Sequence, residues 1–300
     1  MAETEREAPG FERIVPKGST LETIAEGCVF TEGPVWNARE KYFLCTDIIG
    51  DRIIKWTPQG GVTTFMDPSG HANGMTYDRQ GRLVVAGYGS RNIWRMGPDG
   101  HREVLTTHYQ GMKIHCPNDI VVRSDGYIYW TESTGGLYHP GMHGEDVQQY
   151  LDFKAIFCLS PDGSTLTPVV MDFEGPNGIA FSPDESLLYI NDTRRRHIRV
   201  FDVQRDGTLA NGRVFYEARG EGVGNPDGMK VDVEGNVYCT GPGGIHVIDP
   251  EGELLGVIRL THPSNMAWGD DDWQTLYITR RDEVHRLRLG IPGVPVGPAS

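Results

Sequence analysis

The chain has 300 residues, with 28 Lys+Arg against 41 Asp+Glu for a net charge of −13, and 38% of its residues are hydrophobic. A surface this acidic repels phosphate backbones and anionic lipid, which removes nucleic acid and membrane surfaces as default partners. No run approaches the roughly 20 apolar residues of a membrane span, and the charged N-terminus lacks the apolar stretch of a secretory signal, so a cytoplasmic protein is expected.

The 39 glycines and 19 prolines recur as turn signals between short apolar runs, as in Pro98-Asp99-Gly100, Ser124-Asp125-Gly126 and Pro161-Asp162-Gly163. Many short β-rich runs between turns indicate an all-β chain. Helical crossovers are missing, so a Rossmann or TIM-barrel arrangement is excluded. The five cysteines are odd in number and show no CxxC spacing, which argues against a zinc ribbon or a disulfide scaffold.

In chain order, a strand-like run at Leu21–Ala25 precedes six similar segments. The first segment holds Glu32–Asn37, Tyr42–Asp47 and Arg52–Trp56; the second holds Asn73–Asp78, Arg82–Ala86 and Asn92–Met96. The third holds Asn118–Val122, Tyr127–Glu132 and Ala155–Leu159; the fourth holds Asn177–Phe181, Leu188–Asp192 and His197–Phe201. The fifth holds Asp227–Asp232, Val237–Thr240 and Gly244–Ile248, and the sixth holds Asn265–Trp268, Leu276–Thr279 and Glu283–Leu287. The leading polar residues are 41, 45, 59, 50 and 38 residues apart. A repeat of that length built of strands is a propeller blade, so a six-bladed β-propeller is expected.

Fourth strands trail the first five segments at Val62–Met66, Arg102–Thr107, Thr167–Phe173, Arg213–Ala218 and Leu254–Leu260. The sixth has none, and Leu21–Ala25 is the matching piece. The N-terminus is therefore expected to complete the last blade and close the ring. One domain spanning 1–300 is expected, with an ordered core at about 11–289 and tails at both ends.

Glu32, Asn73, Asn118, Asn177, Asp227 and Asn265 hold the same register ahead of each innermost strand. They should converge on one mouth of the central channel. Asn and Asp also start strands well because they suit turns, but that does not account for Glu32. A ring of carboxylates and amide carbonyls suits a hard divalent cation. His139 and His143 are four apart, but Pro140 and Gly141 between them disfavour a helical metal pair. No G-x-S-x-G elbow is present.

Glu32-Gly-Pro-Val-Trp, Cys116-Pro-Asn-Asp, Gly175-Pro-Asn-Gly-Ile-Ala-Phe-Ser-Pro-Asp and Pro226-Asp-Gly-Met-Lys-Val-Asp together resemble the SMP-30/gluconolactonase family, from about Phe11 to Leu289. The resemblance implies a propeller lactonase with one divalent ion, most often Ca²⁺, with Zn²⁺, Mn²⁺, Mg²⁺ or Fe²⁺ as alternatives. It implies metal ligands at Glu32, Asn177 and Asp227, with Asn118 beside the metal and Asp227 as general acid/base. Asn73, Cys116, Asn118 and Glu132 are the expected substrate contacts, and Glu132 is a reserve base or an exposed rim residue.

Two positions depart from the family pattern. Cys116 stands where relatives often have Ser or Arg, and Thr131-Glu132-Ser133 where they often have Thr-Asp-Pro. Thr134–Lys154 is a long insertion, read as a lid or as a plain surface loop. The expected activity is hydrolysis of a small lactone by metal-activated water. The alternatives are organophosphate-type or metal-enolate chemistry on the same site, and a non-catalytic calcium-binding propeller. Neither the lactone nor the oligomeric state is legible from sequence.

Overall fold

The computed structural model describes residues 4–6 and 10–298. Among the described residues, six antiparallel sheets form the blades of a β-propeller, five of them four-stranded and the fifth blade five-stranded. The first three strands of each blade follow the sequence repeat, starting with the innermost strands at Thr31–Asn37, Met75–Tyr77, Cys116–Val122, Pro176–Phe181, Met229–Val231 and Asn265–Gly269. Blades one to five end in outer strands Gly61–Met66, Arg102–Thr106, Leu166–Val170, Leu209–Glu217 and Leu254–Arg259, as expected. Among the described residues, helix is confined to Phe11–Ile14 and a single 3₁₀ turn at Gly135–Leu137.

The ring closes as the sequence pattern predicts. Glu22–Ala25 pairs antiparallel with Glu283–Arg288, with Glu22 opposite Arg286 and Thr23 opposite His285. This covers an edge that would otherwise leave backbone groups unpaired. At the seam between blades six and one, Tyr277 stacks on Phe43 at 4.8 Å and on Trp36 at 5.6 Å between ring centroids. A further strand that the sequence pattern did not reveal, Thr4–Arg6, extends blade five beside Leu254–Arg259.

The described residues after Leu289, expected as a tail, are packed against the ring. Leu289 and Ile291 are buried with Phe11, Ile14 and Trp268. The Val294 amide donates to the Val231 carbonyl at 3.2 Å, and the Gly293 amide to the Trp273 carbonyl at 2.9 Å. Val294 to Gly297 thereby cross the channel end opposite the register residues. Beneath them lies a cavity of about 110 Å³ lined by Val121, Phe181, Lys230, Val231 and Trp268.

Each blade carries alternate side chains into the blade interfaces, where Trp94, Trp130, Tyr129, Tyr238 and Phe157 are fully buried. Those packed interfaces hold the innermost strands, and hence the channel mouth, in a fixed frame.

Candidate active site at the channel mouth

The six register residues do form a ring, and small residues make it possible. The residue after each is glycine in four blades: Gly33, Gly74, Gly178 and Gly228. A Cβ on Gly33 would lie 2.0 Å from the Asn73 carbonyl oxygen, and one on Gly74 2.7 Å from that of Asn118. On Gly178 it would lie 2.2 Å from the Asp227 carbonyl oxygen, and on Gly228 2.2 Å from the Asn265 side chain. Each glycine thus lets one inner strand lie against the register residue of the next.

Second strands hold the ring from below. Thr240 Oγ1 accepts the Asp227 amide at 2.8 Å, and Thr279 Oγ1 accepts the Asn265 amide at 3.0 Å. Asn191 Oδ1 accepts the Gly178 amide at 3.1 Å, and its Nδ2 donates to the Asp227 carbonyl at 2.6 Å.

Glu32 is 4% exposed and Asn73 3%, whereas Asn118, Asn177 and Asp227 are half-buried. The mouth is therefore open over blades three to five and covered over blades six, one and two. Glu32 Oε2 accepts the Gly33 backbone N–H at 2.8 Å and the Asn265 side-chain Nδ2–H at 2.9 Å, which leaves Oε1 free. Burial pushes the Glu32 pKa up to about 7, helped by the Asp119 charge and opposed by its amide donors and Lys230. Asp227 keeps some open surface but is crowded by protein, and its pKa is raised well above the ordinary carboxylate range. Burial is the main cause, the Glu32 charge adds to it, and a hydrogen bond from Asn177 opposes it. Asn73 Oδ1 is buried with no hydrogen-bond partner.

These features fit a hard cation: oxygen donors only, repelling carboxylates held in one ring, and a buried carbonyl oxygen without a donor. Among the described residues, no three His, Cys, Asp or Glu side chains gather as a metal cluster, so amides would have to complete any donor set.

Two expected substrate contacts lie elsewhere. Glu132 is fully buried, where Oε2 accepts the Trp130 indole N–H at 2.8 Å and Oε1 accepts the His115 amide. It stands opposite Pro117, as Asp47 stands opposite Thr31 and Asp192 opposite Pro176. Asp47 accepts the Val29 and Phe30 amides, and Asp192 those of Glu174 and Gly175. Glu132 is therefore the blade-three member of a set of loop anchors, neither facing the mouth nor in an exposed salt bridge. Cys116 is 1% exposed and packs with Ile48, Tyr88 and Leu137. Burial pushes its thiol up to about 12, so it is not a thiolate at neutral pH.

The insertion is a fixed roof. The fully buried Arg91 donates to the carbonyls of Asp146 at 3.0 Å and Gln148 at 2.9 Å, and to that of Ile114 at 2.9 Å. Leu137 and Met142 carry the roof onto Ile48 and Phe30 of blade one. Sequence reasoning passed over Arg91, although a lone arginine after Gly89-Ser90 in a turn was visible. It also passed over Tyr88, whose hydroxyl bonds Ser133 and feels both the Asp227 and Glu32 charges. Asp119 and Lys230, paired at 3.4 Å inside the channel, were missed as well.

A family model described as SMP-30/gluconolactonase/LRE-like region matches residues 30–281. A gluconolactonase of Zymomonas mobilis is 33% identical, over 94% of this chain and 84% of its own. A 6-deoxy-6-sulfogluconolactonase of Pseudomonas putida is 28% identical, over 87% of this chain and 86% of its own. The solved structure of a Xanthomonas campestris gluconolactonase matches with a TM-score of 0.88 at 31% identity, covering 95% of this chain and 94% of that one.

Proposed function

We propose, on the premise that the chain belongs to the SMP-30/gluconolactonase/LRE-like family, that it opens a small lactone, a sugar-acid lactone being the favoured class, at a mouth holding one divalent cation. The observation that carries this reading is the convergence of Glu32 and Asp227 with amide oxygens on one ring, including the unpartnered Asn73 Oδ1. Glu32, Asn177, Asp227 and Asn118 would hold the ion, with Ca²⁺ the favoured identity because every donor is oxygen. Bound there, a divalent cation polarises a lactone carbonyl and lowers the pKa of water.

The chain's own groups do the rest. Glu32 would have Oε1 to offer the ion, because Oε2 accepts the Gly33 backbone N–H and the Asn265 side-chain N–H. Asp227 lies on the open side of the ring; ionised beside the positive charge of the ion, which offsets the burial and the Glu32 charge that raise its pKa, it would take the proton of the attacking water and return it to the ring oxygen that leaves. Asn177 steadies the Asp227 carboxylate through its hydrogen bond. The Asn118 side chain, half-buried on the same open side, orients the carbonyl. The anchored roof confines substrate approach to blades three to five. The five free thiols support a cytoplasmic setting.

A pH-stat panel of aldonolactones, run on protein stripped with chelator and then reloaded with single divalent ions, tests the reading. The expected result is loss of hydrolysis on stripping and recovery with Ca²⁺ or a similar ion. Full activity in excess EDTA would exclude the metal, and no turnover of any lactone would exclude the activity.

A further inference from the structure

Beneath the ring, inside the channel, a third carboxylate and one ammonium group lie close to the two ring carboxylates. Asp119 is 2% exposed, and its Oδ1 accepts the Ile120 amide at 2.9 Å. Its Oδ2 faces Lys230 Nζ at 3.4 Å. Lys230 also donates to the Met229 carbonyl at 2.9 Å and reaches Asn265 Oδ1 at 3.4 Å, while Asn265 Nδ2 donates to Glu32 Oε2 at 2.9 Å. The Lys230 stem lines the cavity of about 110 Å³ at the far end of the channel, so its charge enters from below.

We propose that Lys230 is the channel's internal counter-cation, a positioning residue that cancels Asp119 and leaves Glu32 and Asp227 as a net double negative charge matched to one divalent ion. The inference rests on the metal reading above. Lys230 acts chiefly through charge, since Asn265 Oδ1 also accepts the Met266 amide at 2.8 Å. That bond holds the Asn265 amide toward Glu32 without Lys230. Removing the ammonium therefore strengthens the field on a bound cation, and does so in proportion to the ion's charge. A lysine with a purely structural role predicts the opposite: loss of packing, and weaker binding of every ion.

The test is isothermal titration of chelator-stripped full-length protein with Ca²⁺ and with Tb³⁺ at pH 8.5. Wild type is compared with K230Q, K230R, D119N and D119N/K230Q. We expect K230Q to bind Ca²⁺ at least about tenfold more tightly, and Tb³⁺ by a larger factor, because one repelling unit charge is removed from beside the ion. K230R should stay near wild type, because the cavity below leaves space for a longer side chain. D119N should weaken both ions, and the double variant should return close to wild type.

Unchanged or weaker Ca²⁺ binding by K230Q, with K230R also weakened, overturns the inference. If K230Q fails to fold, the comparison of D119N with the double variant decides it: equal affinities refute Lys230 as a counter-charge. A wild-type protein that binds neither ion overturns the metal reading and this inference with it, whereas wild-type binding with an unresponsive K230Q overturns this inference alone.

Discussion

Asn265 and Glu32, 233 residues apart in sequence, meet across the closure of the ring, where Asn265 Nδ2 donates to Glu32 Oε2 at 2.9 Å. This contact joins the last blade to the first at the axis, as the Glu22–Ala25 strand joins them at the rim. It gives Glu32 one engaged and one free oxygen. The seam that closes the fold is therefore also part of the wall of the site.

The Glu32 environment sets a pH dependence. Its folded pKa of about 7 lies above the ordinary 4.5, so the folded state holds a proton that the unfolded chain has released. Stability from this group is full below about pH 4.5 and is lost as pH rises through 7. Chelator-stripped protein should melt lower at pH 8 than at pH 5.5, and Glu32→Gln should flatten that slope. Added Ca²⁺ binds the ionised form, so its stabilisation should be larger at pH 8, about 2.7 kcal/mol at a hundredfold excess over Kd. Calorimetry at both pH values checks this. A Ca²⁺ effect that is larger at pH 5.5 contradicts it.

Asp227→Asn retains the shape and an oxygen while removing the base. At saturating divalent ion, kcat should fall roughly 10²–10⁴-fold. Asn118→Ala should instead act mainly on KM, because it loses an orienting group and no proton acceptor. Near wild-type kcat in Asp227→Asn would move the proton transfer to another group.

Glu132→Gln separates a loop anchor from a base. Burial raises the Glu132 pKa from 4.5 to about 8, so its contribution to stability is lost as pH rises across that window. Glutamine keeps an oxygen for the Trp130 indole or the His115 amide and removes the buried charge. The variant should match or exceed the wild-type Tm at pH 8.5 and retain kcat. A hundredfold loss of kcat at unchanged Tm would restore Glu132 to the chemistry.

Deleting residues 1–26 removes the closing strand, and with it Phe11, Ile14 and Val15 from the core of blades five and six. The exposed edge of Glu283–Arg288 should drive aggregation. The intact chain should unfold in one transition, as a ring of mutually packed blades. A soluble truncation with wild-type Tm would show that the closing strand is dispensable.

Much of this was legible in the repeat. Blade number, strand order and the closing segment follow from period-two runs between turns, a local pattern that survives without tertiary information. Even the role of Glu132 was present in outline, since Thr46-Asp47, Asn191-Asp192 and Thr131-Glu132 align. The carboxylate was instead assigned to the mouth, because alignment gives the position along a strand and not what the side chain meets.

Sequence alone determined the ring and the residues on it, because a six-fold repeat forces equivalent positions toward one axis. Only the tertiary structure decided which of them face solvent and which are buried. The roof pinned by Arg91 covers one side of the mouth, and the C-terminal segment seals the far end of the channel. The pairing of Asp119 with Lys230 across 111 residues likewise needed the folded channel. Such contacts join different blades, and no local pattern of residues encodes them. They arise when the blades pack and buried charges must find partners at the distances the ring imposes.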